Sequence, residues 1–190
     1  TKTGAIGGKV LPIWQSERPQ WLGDKMLNAL TILDWGNEEF EITDFNNYWL
    51  VGANIAYNTV AVKQVGGFSE HLGRDQGSLL CHEELDLNLR LHQAGFTIIY
   101  NPNIVVNHSV NPNRLTKEHF SELMFSEGIS RAFLRETDTE IESDLHFFEE
   151  FLIPKNNTSN HLFTDIDIPE FFANKMHAIS RLGRLIAQAK

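Results

Sequence analysis

Glu83-Glu84-Leu85-Asp86 puts three carboxylates into four residues, directly ahead of a segment that stops at Gly95. A carboxylate within hydrogen-bond reach of a hydroxyl can take its proton as the oxygen attacks an electrophile. The start of a helix is a stable place to hold such a group, because the helix dipole favours negative charge there. Neighbouring carboxylates repel each other, which raises one pKa and makes that group the stronger base. The same acids are also ordinary first-turn chemistry for a helix. The run Ile104-Val105-Val106-Asn107 ends on His108, whose neutral imidazole can bind a metal or hydrogen-bond the backbone.

These groups need elements to position them. Residues 4–14, GAIGGKVLPIW, read as a strand entering a turn marked by Pro12. Residues 25–34 read as a short helix and Tyr48–Val51 as a short apolar strand. Asn58–Val65 reads as a helix ended by Gly66-Gly67. After Glu83 the leucines alternate like a strand. The composition lacks β-branched residues and Gly95 supplies a stop, so a helix is expected. Phe96–Tyr100 and Ile104–Asn107 read as strands split by an Asn101-Pro102-Asn103 turn, and Thr116–Arg135 as a helix. Between Glu136 and Glu150 there are seven acids and no Lys or Arg, so an acidic linker is expected. From Pro169 a basic amphipathic helix is expected, with Phe172, Met176, Ile179, Leu182 and Ile186 as its apolar stripe.

Composition narrows the function. A net charge of −9 argues against nonspecific nucleic-acid binding, which needs a cationic surface. Cys81 is the only cysteine, which excludes an internal disulfide and a multi-cysteine zinc site and fits a reducing compartment. No apolar run approaches the roughly 18 residues of a membrane span, and no signal peptide is visible. The first residue is not Met, so an excised piece of a longer chain is one expectation.

The order of parts from Gly52 to His108 carries a resemblance. GANIAYNTVAVKQVGGF is followed by the acidic cluster, a helix, Gly95, an extended run and His108. This resembles the acceptor-side half of the inverting family 2 glycosyltransferases, which have the GT-A fold; weaker similarity lies in GGKVLPIW and RPQWL. The resemblance implies an α/β fold: a partial GT-A-like mixed sheet with flanking helices, followed by a helical C-terminal extension. It places the acceptor-side half in residues 1–135, with an acidic linker and amphipathic helical extension in 136–190. The family's Glu-Asp motif, GEDxDL, falls on Glu83, Glu84 and Asp86. It implies Glu84, or Glu83, as the base that activates an acceptor hydroxyl, with Asp86 orienting or assisting. There are departures. His82 stands where the family has Gly. Glu84 replaces the family's Asp and reaches about 1.5 Å further. Tyr57-Asn58-Thr59 replaces the arginines that often follow the GANxAF turn.

The resemblance also implies a nucleotide-sugar donor, a saccharide or lipid-linked acceptor, and a divalent metal, Mn²⁺ or Mg²⁺, in the intact enzyme. His108 would lie near the donor diphosphate or ligate that metal. The family's Asp-x-Asp metal motif belongs before the acceptor half, and nothing upstream of Gly52 fits it. Asp165-Ile166-Asp167 is a literal match in the wrong context. Most of the donor site is thus expected outside these residues, with the chain alone inactive. Trp49, Asn54, Arg74 and Trp21 are the candidate substrate contacts, since sugar faces stack on aromatic rings and polar groups read hydroxyls. Trp14, Tyr48 and His71 are further candidates, and core packing is the alternative for each aromatic. The basic C-terminal helix suggests peripheral contact with an anionic membrane surface, or packing on its own domain or on a second copy. The expected location is cytoplasmic, including the inner membrane face, and the expected role is surface polysaccharide synthesis. Two rivals remain: a noncatalytic carbohydrate- or protein-binding module on the same half-fold, and a metal-dependent hydrolase using Glu83, Glu84, Asp86 and His108.

Overall fold

β1 (Thr3–Trp14), β2 (Phe40–Glu41), β3 (Ile55–Tyr57) and β4 (Thr97–Val110) form one mixed sheet in the order β2-β4-β1-β3. The two long strands, β1 and β4, pair in parallel, and the short ones add antiparallel at either side. The structure is a computed structural model that describes residues 2–73, 79–134, 138–152 and 167–189. It is α/β, a mixed sheet with helices beside it and a C-terminal helix, as expected and consistent with a partial GT-A-like fold. The chain divides into two compact units. The first comprises Thr1–Ser16, Leu30–Gly73 and His82–Asn111, and the second the described parts of Glu17–Ala29, Arg74–Cys81 and Pro112–Lys190.

In the first unit the Asn101-Pro102-Asn103 turn signal proves to be a bulge within one continuous strand. Gly7 pairs with Tyr100, but Lys9 pairs with Val105, so β4 holds extra residues at that point. Asn101 Oδ1 accepts the Asn103 N–H at 2.9 Å and closes the bulge. Gly8 lies against it, and a Cβ there would overlap the carbonyl oxygens of Asn101 and Ile104. A Cβ on Gly7 would overlap the carbonyl of Asn54. The Gly7-Gly8 pair therefore serves close backbone approach in mid-strand.

Two other expectations shift. Residues 25–34 give only a 3-10 helix, Asp24–Leu30, because Thr31 turns left-handed at φ 71° and Leu33 leaves to bridge Val10 through two backbone hydrogen bonds of 2.8 and 3.0 Å. Tyr48–Val51 is loop, and the strand comes later, at β3. The loop is fixed from outside itself: Trp49 O accepts the Trp35 indole N–H at 2.8 Å, and Leu50 is buried where Gly7 leaves room.

The helices of this unit form where the sequence says. α1 (Thr59–Gln64) is capped by Asn58, whose Oδ1 accepts from Val60 and Ala61 at 3.0 and 3.2 Å. It ends at Gly66 and Gly67, both left-handed. α2 (Glu83–Gln93) buries Leu87, Asn88 and Leu91, and Leu91 lies beside Gly4 of β1.

The second unit is helical. α3 (Lys117–Leu134) and α5 (Pro169–Gln188) approach backbone to backbone at Gly128 and Gly183. A Cβ on either glycine would overlap a carbonyl of the other helix, Ser180 O or Phe125 O. This contact redraws the expected stripe on α5. Phe172 and Met176 are buried, but Leu182 and Ile186 remain 44% and 40% exposed, because the closest face runs through Gly183. The acidic stretch contains a helix, α4 (Asp138–Leu152), held to α5 by charge. Asp144 is fully buried and takes Arg184 in a two-bond fork of 2.6 and 2.6 Å, plus Arg181 at 2.8 Å. Arg181 also lies over the Phe147 ring at 4.5 Å.

A buried acid facing two arginines cannot be truncated cheaply, because both cations lose their partner. Asp144→Ala is expected to destabilise this helical unit by about 3–5 kcal/mol. Urea unfolding followed by circular dichroism measures it, and a change below 1 kcal/mol would contradict the role assigned to the pair.

Candidate functional site

The acidic cluster opens α2 as the sequence suggested, and its three carboxylates have three different surroundings. Glu84 turns toward the 3-10 turn Gly52–Asn54, where its Oε1 occupies the space a Cβ on Gly52 would need. The Gly52 and Glu84 backbone N–H groups both hydrogen-bond its carboxylate. Burial nevertheless pushes its pKa up, and the charge of Glu83 pushes it further; the two N–H bonds and nearby His82 only partly oppose this. Glu83 lies beside Gly73, and its Oε2 is buried with no hydrogen-bond partner among the described residues.

Asp86 has a different task. It grips Arg90 one turn along α2, through contacts of 3.0 and 2.6 Å. Arg90 donates in turn to Val65 O and Gly67 O, both at 2.7 Å. The pair clamps the end of α1 onto α2, so Asp86 orients the helix that carries Glu84.

His82 is the N-cap of α2 and lies in the left-handed region, at φ 77° and ψ 11°. That conformation costs a residue with a Cβ about 1–2 kcal/mol and suits glycine. It accounts physically for a glycine at this position in the pattern the sequence resembles. The strain sits one residue ahead of the carboxylate pair.

The other candidates separate. Asn54 is buried, and both its amide hydrogens go to backbone, Lys9 O at 2.8 Å and Ile104 O at 3.0 Å, which ties β1 to the β4 bulge. Trp49 is half-buried, its ring edge-on to Trp35 at 4.8 Å. Tyr48 is 39% exposed in the same cluster, and Trp14 is half-buried on β1. Trp21 belongs to the second unit, buried between Phe120 and Phe172 at centroid distances of 5.4 and 4.4 Å. His71 is exposed. Arg74, Asp165 and Ile166 lie outside the described residues. His108 is half-buried on β4, in register with Pro12. Among the described residues no three or more His, Cys, Asp or Glu side chains converge as metal ligands. Nor is any described helix long and apolar enough to cross a membrane.

Two residues at this face escaped the sequence reading. Trp35 donates its indole N–H to Trp49 O and lies edge-on to the Tyr48 ring at 5.5 Å. Tyr57, the last residue of β3, buries its hydroxyl with no partner among the described residues. Burial raises its pKa, and the charges of Glu84 and Glu83 raise it further, so the hydroxyl keeps its proton wherever carboxylates titrate. The available signal was Tyr57 itself, which the sequence marks only as standing, with Asn58 and Thr59, where arginines often follow the GANxAF turn.

His82→Gly removes the left-handed strain and is expected to stabilise the chain by up to about 1 kcal/mol, read as a raised melting temperature. Glu84 supplies a second expectation. Its folded pKa lies above the unfolded value, so its contribution is stabilising only while protonated and is lost as pH rises through the folded pKa. Glu84→Gln should therefore melt higher than the parent at pH 7, with the gain disappearing as pH falls below the ordinary carboxylate range. A lower melting temperature at pH 7 would contradict the burial argument.

No family model and no solved structure matches the chain. Among curated proteins, one named glucosyl-dolichyl phosphate glucuronosyltransferase, from Haloferax volcanii, is 26% identical over 128 residues. The match covers 67% of this chain but only 40% of that relative's length. The chain is thus distantly related to a glycosyltransferase, which supports sugar transfer in general terms.

Proposed function

We propose that this chain carries the acceptor-activating part of an inverting glycosyltransferase, with Glu84 as the base. The reaction is displacement at the anomeric carbon of a nucleotide-sugar by an acceptor hydroxyl. The C–O bond to the nucleotide diphosphate breaks, a bond to the acceptor oxygen forms, and the acceptor's proton passes to Glu84. The observation that supports this most is the surroundings of Glu84: a half-buried carboxylate, raised in pKa by burial and by Glu83, fixed by the Gly52 N–H. A base whose pKa is raised toward the working pH accepts a proton more readily once ionised. The related protein's name supports a saccharide on a lipid phosphate as the acceptor class and a uronic acid as the transferred sugar. The donor site lies largely outside these residues, in keeping with the 40% share of the relative that is matched. No step is assigned to a metal.

The carboxylate pair also argues for a neutral hydroxyl as the attacking group. Two acids side by side would repel an anionic phosphate oxygen.

In the intact protein, with UDP-glucuronate and a glucosyl polyprenyl phosphate as probes, Glu84→Gln should lower kcat by about 10²–10⁴-fold with little change in KM. The parent's kcat/KM should rise with pH through the raised pKa of Glu84, because the base must be ionised to act. Glu84→Gln turnover within threefold of the parent would rule Glu84 out as the base.

A further inference from the structure

Three aromatic rings gather on the stretch that leads into the turn holding Glu84, and proton transfer uses none of them. Trp35 and Trp49 meet edge-on at 4.8 Å, Tyr48 meets Trp35 at 5.5 Å, and Phe40 meets Tyr48 at 5.1 Å. Rings that only fill a core are shut away from water. Here Tyr48 is 39% exposed, Trp35 and Trp49 are half-buried, and Asn46 and Asn47, next to Tyr48 in the chain, are exposed. The patch is also rigid. Lys9 Nζ of β1 donates to Asp34 at 3.1 Å and to Asn37 at 2.8 Å. The Tyr100 hydroxyl of β4 accepts the Trp35 backbone N–H and donates to Gly36 O, both at 3.1 Å. The loop that carries Trp35 is thus fastened to both long strands, and its indole N–H fastens Trp49 in turn. Asp44 shapes the turn that presents Tyr48, its carbonyl accepting the Tyr48 N–H at 3.0 Å and its carboxylate the Asn47 amide at 2.7 Å.

We propose that Trp35, Tyr48 and Trp49 form the platform on which a neutral pyranose ring of the acceptor rests. The inference rests on the chain acting on a saccharide acceptor, and it names the part of that acceptor held here. A pyranose ring has apolar C–H faces that lie on aromatic rings, while nearby amides and carboxylates take its hydroxyls. Charge selects a neutral ring. Glu38, Glu39 and Asp44 are exposed around the patch, and Lys9, the cation of this network, is already shared by Asp34 and Asn37. A phosphate or a uronate would meet like charge. The distance to the base fits as well. Trp49 stands three residues before Gly52, so their Cα atoms are at most about 11 Å apart. Gly52 is exposed, and Glu84 Oε1 lies against it. A short saccharide on the platform reaches that opening. Because the platform is fixed by bonds to β1 and β4, little ordering is left to be done when the sugar arrives.

Sugar binding can be read without the donor. The intact protein, labelled with ¹⁵N at its tryptophan indoles, is titrated by NMR with methyl glucoside, glucose 1-phosphate and glucuronate. Trp35→Phe and Trp49→Phe assign the two signals of the platform. Methyl glucoside should move both signals saturably and leave that of Trp21, buried between Phe120 and Phe172, in place. Tyr48→Ala should weaken this binding about three- to tenfold, because a stacked ring is lost, and Tyr48→Phe should restore it. Platform signals that stay still at every concentration of the neutral sugar overturn the proposal. So does tighter binding of either anion than of methyl glucoside, or parental affinity in Tyr48→Ala. Should Tyr48→Ala fail to fold, Tyr48→Leu carries the same comparison, and the titration of the parent protein needs neither. The base and the platform fail separately. If Glu84→Gln retains turnover while the sugar still moves both signals, the base assignment fails and the platform stands. If Glu84→Gln loses turnover and no sugar moves them, the base stands and the platform fails.

Discussion

Gly52 has no side chain, and Glu84 fills the space one would take. The arrangement of the site follows from that contact. It brings the first turn of α2 against the turn that ends in Asn54, and it puts a backbone N–H on a half-buried carboxylate. It also gives a glutamate room where the resembled pattern has an aspartate. The extra methylene reaches across to Gly52, and any larger residue there would push the carboxylate out.

The surrounding bonds keep that contact in place. Asn54, two residues on, ties the backbones of Lys9 and Ile104, so the turn is anchored to both long strands. On the other side Asp86 and Arg90 fasten α2 to the end of α1. Two of the residues singled out for chemistry are thus the fittings that hold a third. His82, strained at φ 77°, adds a cost at the same helix end. Such strain persists only where the neighbouring packing over-determines it.

The helical unit follows another logic. Gly128 and Gly183 let two helices meet at backbone distance, and Asp144 supplies a buried charge that fastens a third helix. Arg181 and Arg184, two of the cations of α5, therefore face inward to a partner. The basic character of that helix is in part a feature of its packing.

Much of the first unit was legible from residue types alone. The helix read from Asn58, the Gly66-Gly67 stop, the helix opened by Glu83 and its end at Gly95 are local chemistry, and each stands where expected, with Asn58 serving as the cap. So did the strand character of 4–14 and the α/β class. What the sequence could not decide were facts of distance between residues far apart in the chain. The Asn101-Pro102-Asn103 signal could mean a turn or a bulge until β1 paired on both sides of it. Residues 25–34 have a helical pattern, yet Leu33 is drawn off to Val10. Which face of α5 packs was set by two glycines, which an apolar pattern does not weigh. At the site, the acidic cluster by itself is as consistent with a well-made helix end as with a base. Only the tertiary structure separates the three acids, giving Glu84 to Gly52, Asp86 to Arg90, and setting Glu83 beside Gly73, because burial and hydrogen bonding are properties of the packed chain.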